Sequence, residues 1–370
     1  MIFWLFLLVY ELILIYGYSR CVNRQKSLFL LFIILGLIYF AGFRDGLGMD
    51  YTGYKELCER EIHYFGPKFL NEPIMILLQE FCYKTNFSAV LFFLINAILT
   101  NTICLYTYSK FDNFHIAAFI YIFYTGLYPA TLNVVAQFTA ATIMMCAYIN
   151  YLQKSCVQNL VIVIISVLVG FCIHKSSIVM LFPIILSKKD YNIVIIVCSI
   201  IASLIIPVGQ FLSSISIFNI LDVLDYTAYL DYNNIIINKS SFVNIFTHIL
   251  LIPFLLNKRK ILNQKDSELY VFLIKVYVGY LICNNISAGG FSIAYRIAYL
   301  FVVFIPLLWA QIPKLINRRI AYILIIIPLF LLTILRISSN NRILVPQRIL
   351  PLKSIIDENY HPYDNPNYIR

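Results

Sequence analysis

Residues 27–54 read SLFLLFIILGLIYFAG followed by FRDGLGMDYTGY, and the break between the two halves decides how the chain folds. Residues 27–42 carry no charged side chain, and their only strongly polar group is the Ser27 hydroxyl. A helix of roughly 20 mostly apolar residues spans the ~30 Å hydrocarbon core of a bilayer. Inside that core a helix satisfies its own backbone hydrogen bonds, which an irregular segment cannot do. The second half, from Phe43 to Tyr54, turns polar at once, with Arg44, Asp45 and Asp50 interleaved with Gly46 and Gly48. Glycine lets the backbone turn sharply. The stretch is therefore a membrane helix that surfaces into a polar turn.

Working outward, the same apolar pattern recurs near 2–18, 86–108, 114–129, 131–152, 157–173, 176–187, 191–207, 241–257, 268–284, 297–313 and 320–336. Hydrophobic residues make up 61% of the 370, charged residues 12%, and mean hydropathy is +0.82. So few charges cannot clothe a water-soluble surface, so lipid must cover much of the exterior. The reading is an all-α polytopic transmembrane bundle of about 11–12 membrane helices, forming one integral membrane domain over residues 1–370. Segment 176–187 is short for a full crossing and reads as re-entrant or tilted. Segment 73–84 is shorter still, carries Glu80, and reads as a helix lying in the interface. Residues 2–18 are apolar except for Glu11 and lack a basic leader or small-residue cleavage site, which predicts a retained first helix.

The net charge of +10 does not predict a nucleic-acid partner, because the basic residues sit in short joins between apolar runs. Alternate joins hold Arg20, Arg24 and Lys26; Lys110; Lys154; Lys188 and Lys189; Lys258, Arg259, Lys260 and Lys265; and Lys314, Arg318 and Arg319. The positive-inside rule places these in the cytoplasm. The extracytoplasmic side then receives loop 43–72, loop 208–240, the join near 285–295 and the tail 337–370, although that tail is more basic than an outer segment usually is. The nine cysteines form no CxxC pair, which argues against a zinc site or a disulfide framework.

Ionisable groups at membrane edges are the candidates for chemistry. Arg44 emerges at the bilayer surface, either as a guanidinium poised for bidentate contact with phosphate or as an ordinary snorkelling arginine. His174, followed by Lys175 and Ser176, lies where one apolar run ends and the next begins. Imidazole suits proton transfer near neutral pH and Lys175 suits an anion, while a structural histidine is the competing reading. Arg296 and Tyr299 share a helix face at i, i+3. In loop 208–240, Tyr226, Tyr229 and Tyr232 are spaced by three among Asp222, Asp225 and Asp231. This is either a sugar-stacking stripe or an interfacial aromatic belt.

Taken in order, these residues resemble a family: the EpsG-like, Wzy-type polymerases of bacterial O-antigen and exopolysaccharide. The resemblance rests on the stretch from Phe43 to Tyr54, Asn71-Glu72-Pro73, Asn133 with Gln137, His174-Lys175-Ser176, Arg296 with Tyr299 and Phe301, and Leu350 to Ser354. It departs at Ala136, where the family pattern has arginine before the glutamine. The resemblance implies a membrane glycosyltransferase joining undecaprenyl-diphosphate-linked oligosaccharide units at the outer face of the inner membrane, without a metal or other cofactor. It further implies Arg44 and Arg296 on the diphosphate, His174 as base with Asp50 in reserve, and Lys175, Tyr51, Tyr54, Glu72, Asn133, Gln137 and Tyr299 as substrate contacts, to which the tyrosine stripe of loop 208–240 adds Tyr226 and Tyr229 as sugar-stacking candidates. The implied partners are lipid-linked donor and acceptor, membrane lipid and a chain-length regulator. A flippase or transporter is the rival class, and it would want charges lining a path at mid-span. Here those are few, namely Glu11 and Lys275. A ligase using the same donor stays open.

Overall fold

The computed structural model describes residues 2–44, 50–59, 72–85, 89–124, 126–154, 156–186, 189–205, 241–288 and 292–338. Its elements are helical throughout. They are α1 (Ile2–Arg20), α2 (Asn23–Gly42), α3 (Tyr51–Glu59), α4 (Pro73–Lys84), α5 (Ala89–Ser109), α6 (Phe114–Phe123), α7 (Tyr128–Thr131), α8 (Val135–Gln153) and α9 (Val157–Ile173). A 3-10 helix (Lys175–Ile185) and α10 (Ile193–Ile205) follow. Then come α11 (Ser241–Ile249), α12 (Ile252–Leu256), α13 (Lys258–Leu262), α14 (Ser267–Ala288), α15 (Ser292–Val302), α16 (Ile305–Trp309), α17 (Ile312–Leu315) and α18 (Arg318–Ser338). The protein is an all-α polytopic bundle.

Among the described residues, four helices are long and apolar enough to cross a membrane, or up to five when the bent pair α15 with α16–α17 counts as one span. Several expected spans are built from pieces. Segment 114–129 stops as a helix at Phe123, because Tyr124 is extended, and resumes at Tyr128 with Pro129 in its first turn. Segment 297–313 breaks after Val302 with a 51° bend, and Pro306 restarts it where the missing N–H has no helical partner to lose. Segment 176–187 becomes a 3-10 helix over Lys175–Ile185. That geometry rises ~2.0 Å per residue against 1.5 Å for an α-helix, so a short segment reaches further across the bundle. Segment 73–84 is helical over the residues expected, opening on Pro73.

The outward surface is apolar, as lipid contact requires. On α9, Val161, Ile162, Ile165 and Leu168 are exposed, as are Val194, Ile195, Ile201 and Leu204 on α10. The interior holds large rings and buried polar pairs. Trp309 of α16 packs against Tyr124, Phe246 and Tyr277 at 5.2, 5.5 and 5.8 Å between centroids. Between α5 and α8, the Thr139 hydroxyl donates to Asn96 at 2.9 Å, Thr100 pairs with Thr139 at 3.1 Å, and Cys104 pairs with Thr142 at 3.3 Å. Such small polar pairs hold helices together where lipid offers no hydrophobic drive for association. Their ascending numbers also show that α5 and α8 run parallel.

The bundle has two chemically distinct ends. At one, the basic joins lock together: Lys110 donates to Asn150 at 3.0 Å, Lys314 pairs with Asp112 at 3.3 Å, and Lys258 with Asp190 at 2.8 Å. Lys260 donates to the Leu315 carbonyl at 3.2 Å. The other end receives the C-terminus of α2 and α9 and the N-terminus of α5 and α8.

Candidate functional site

That second end collects the residues singled out from sequence. Arg44 leaves α2 two residues past its end and turns inward, leaving only 2% of its surface exposed. Its guanidinium carbon sits 4.2 Å from the centroid of the Phe93 ring, a cation–π contact. Tyr51 stacks on the same ring at 4.9 Å, and Tyr54 stacks on Phe92 at 4.9 Å. Neither Nε nor Nη2 of Arg44 finds a hydrogen-bond partner among the described residues. Beside them lies a cavity of about 10 Å³ lined by Asn96, Thr100, Asn101, Thr131 and Val135, room for roughly one water molecule. Burial pulls the Arg44 guanidinium down to about 10, against the opposing pull of Tyr128, Tyr51, Tyr54 and Asp50. It remains a cation at neutral pH.

Asp50, just before α3, is exposed at the mouth but hemmed in by enough protein that burial pushes its carboxyl above the ordinary range. The positive fields of Arg296, His174 and Arg44 pull it back. Residues more than 200 positions apart in sequence order thus act on one carboxyl. Tyr54 ties in the rest. Burial, then the negative charge of Glu72 and Asp50, pushes its phenol up, while a hydrogen bond from the backbone at Ala136 and the charge of Arg296 oppose this.

His174 separates α9 from the 3-10 helix and is 8% exposed. Its Nδ1 lies 2.6 Å from Oε1 of Glu72, the residue preceding α4. Its Nε2 is buried without a partner among the described residues, as are the Ser176 and Ser177 hydroxyls. Gln137, in the first turn of α8, donates from its amide to the carbonyl of Arg296, which fixes where α15 enters the site. Tyr299 shares a hydrogen bond with Tyr295 and packs on Phe138 at 5.6 Å. Asn133 is buried before α8, and Lys175 opens the 3-10 helix.

The structure thus gathers Arg44, Asp50, Tyr51, Tyr54, Glu72, Gln137, His174 and Arg296 around one mouth. It places Glu72 on His174 and Gln137 on the backbone of Arg296, so each is engaged with protein. Tyr226 and Tyr229 lie outside the described residues, as do Asn71 and Leu350 to Ser354. Sequence reading missed the ring platform of Phe92 and Phe93 and the amide and hydroxyls beneath Arg44. Aromatic and hydroxyl residues are ordinary in an apolar helix, and only the approach of α2 gives them a role. Among the described residues no group of three or more His, Cys, Asp or Glu stands where it could hold a metal ion.

The site thus sets two arginines and a histidine together at one end of an all-helical membrane bundle. The chain belongs to the EpsG family, whose model matches residues 27–354 and so nearly its whole length. Membership points to a glycosyltransferase-like polysaccharide polymerase. No curated protein and no solved structure is a match.

Proposed function

We propose that this protein joins oligosaccharide units carried on a polyprenyl diphosphate, undecaprenyl in the inner membrane, and does so at the extracytoplasmic end of the bundle. A hydroxyl of the acceptor attacks the anomeric carbon of the donor, and lipid diphosphate leaves with the bonding electron pair. Arg44 and Arg296 meet the charge that builds on the diphosphate, and His174 takes the hydroxyl proton. The supporting observation is Arg44, a buried cation whose Nε and Nη2 find no hydrogen-bond partner, and which forms no salt bridge, among the described residues. A charge taken out of water is costly unless paired, and a diphosphate would supply the missing partner without a metal ion.

The test is polymer length in a strain deleted for the gene and complemented with variants. Arg44→Ala and Arg296→Ala should each shorten or abolish the ladder, reflecting a rate loss on the order of 100-fold. Arg44→Lys should recover little, because an ammonium lacks the planar fork. Wild-type ladders from both alanine variants would refute the assignment, and loss of the ladder on chelating divalent ions would refute metal independence. Internal accumulation of complete lipid-linked units in the deletion strain would favour a flippase instead. Undecorated acceptor would favour a ligase.

A further inference from the structure

We infer that Glu72 is a positioning residue which fixes the tautomer and direction of His174, so that Nε2 is the atom that receives the proton. This rests on the polymerase reading and assigns Glu72 a role on the base instead of on substrate. A carboxylate only accepts hydrogen bonds, so the nitrogen facing Glu72 at 2.6 Å carries the ring hydrogen. A neutral ring protonated at Nδ1 holds its lone pair at Nε2.

Both partners sit at helix boundaries with their backbones pinned. The His174 N–H donates to the Gly170 carbonyl at 2.7 Å, and its own carbonyl accepts from Ser177 at 3.0 Å. Glu72 precedes Pro73, and its carbonyl accepts from Ile76 at 3.1 Å. The pair therefore joins two helix ends 102 residues apart in sequence with little rotational freedom.

A purely structural histidine would use both nitrogens. Here Nε2 is buried and unbonded among the described residues, an arrangement that native proteins keep rarely and that calls for a reason. His174 also lies close enough to Asp50 for its charge to act on that carboxyl. In the reaction the acceptor O–H proton passes to Nε2 and the oxygen bonds the anomeric carbon. As that bond forms, the anomeric C–O bond to the diphosphate breaks, its electron pair going to the diphosphate oxygen. The imidazolium that forms keeps its Nδ1 hydrogen on the Glu72 carboxylate, which stabilises the new charge where it appears.

The test uses full-length protein with ¹⁵N-histidine in lipid nanodiscs, the His174 signals being identified by their loss in His174→Gln. The wild type should show a protonated Nδ1 and a bare Nε2. Glu72→Gln keeps the shape but can turn its amide to donate to Nδ1, moving the ring hydrogen to Nε2. The polymer ladder should fall on the order of 100-fold while yield and melting stay as in wild type. Glu72→Asp should restore part of the ladder and the original tautomer. A wild-type ring protonated on Nε2 would overturn the inference. So would a full ladder from Glu72→Gln alongside a lost one from Arg296→Ala. Full ladders from both arginine variants would instead overturn only the assignment of Arg44 and Arg296, whereas a deletion strain that still makes long polymer would overturn the polymerase reading, and the NMR tautomer would then decide by itself whether Glu72 orients His174.

Discussion

At the scale of single residues, Arg44 and Glu11 are the two ionisable side chains buried most deeply without a partner among the described residues. They differ in setting. Arg44 lies past the end of α2, near Asp50 and on the face of Phe93. Glu11 lies in the middle of α1 with none of its surface exposed, sealed by Tyr10 and by Gly36, where even a Cβ would come within 2.5 Å of its Oε1. Replacing Glu11 by leucine removes an orphaned polar group at similar volume. It should raise stability by about 1–3 kcal/mol, read as an increased melting temperature in nanodiscs with the polymer ladder unchanged. Asp50 gives a pH prediction. Burial holds its carboxyl above the unfolded value, so the folded state binds that proton more tightly than the unfolded chain. The resulting stability is present in acid and is lost as pH rises through the raised value. Asp50→Asn should flatten that limb of a plot of Tm against pH.

At the scale of elements, the apolar periodicity located the helices but not their breaks. Pro73–Lys84 begins and ends where the sequence indicated, because proline sets its start and polar residues flank it. The interruption at Tyr124 and the 51° bend after Val302 each fall a few residues ahead of a proline, Pro129 and Pro306, in the first turn of the next helical piece. Apolar periodicity does not register these breaks, because the runs stay apolar across them, whereas proline cannot continue a helix. Lys175–Ile185 takes a 3-10 form with Pro183 inside it. The α2–α5 contact shows how an element positions a functional group. A Cβ on Gly42 would lie 3.0 Å from the Leu94 Cα and 2.7 Å from its side chain. Gly42→Leu should therefore push α2 away from α5 and draw Arg44 off Phe93. The expected result is a stability loss of about 1–3 kcal/mol and a shortened ladder, checked by melting of the purified variant and by gel.

For the whole molecule, the two ends make a topological claim that labelling can check. A single cysteine in place of Asp50, in a background freed of the native cysteines, should react with a membrane-impermeant maleimide added outside intact cells. One in place of Lys154 should react only after the membrane is opened. The reverse pattern would turn the site toward the cytoplasm and end the proposed geometry. Arg44 with Asp50, His174 and Arg296 come from three separate parts of the chain, and each is a weak candidate by itself. Their convergence depends on α2, α9 and the entry to α15 all reaching the same end.

Composition and period alone determined that the chain is a helical membrane protein, since burial in lipid is a demand each segment must meet locally. The order of short motifs also pointed to the right family. Which charges face one another, that Glu72 holds His174, and that Phe92 and Phe93 support Arg44 were decided only by tertiary packing. Those contacts join residues far apart in sequence, and no local pattern encodes the distance between helix ends.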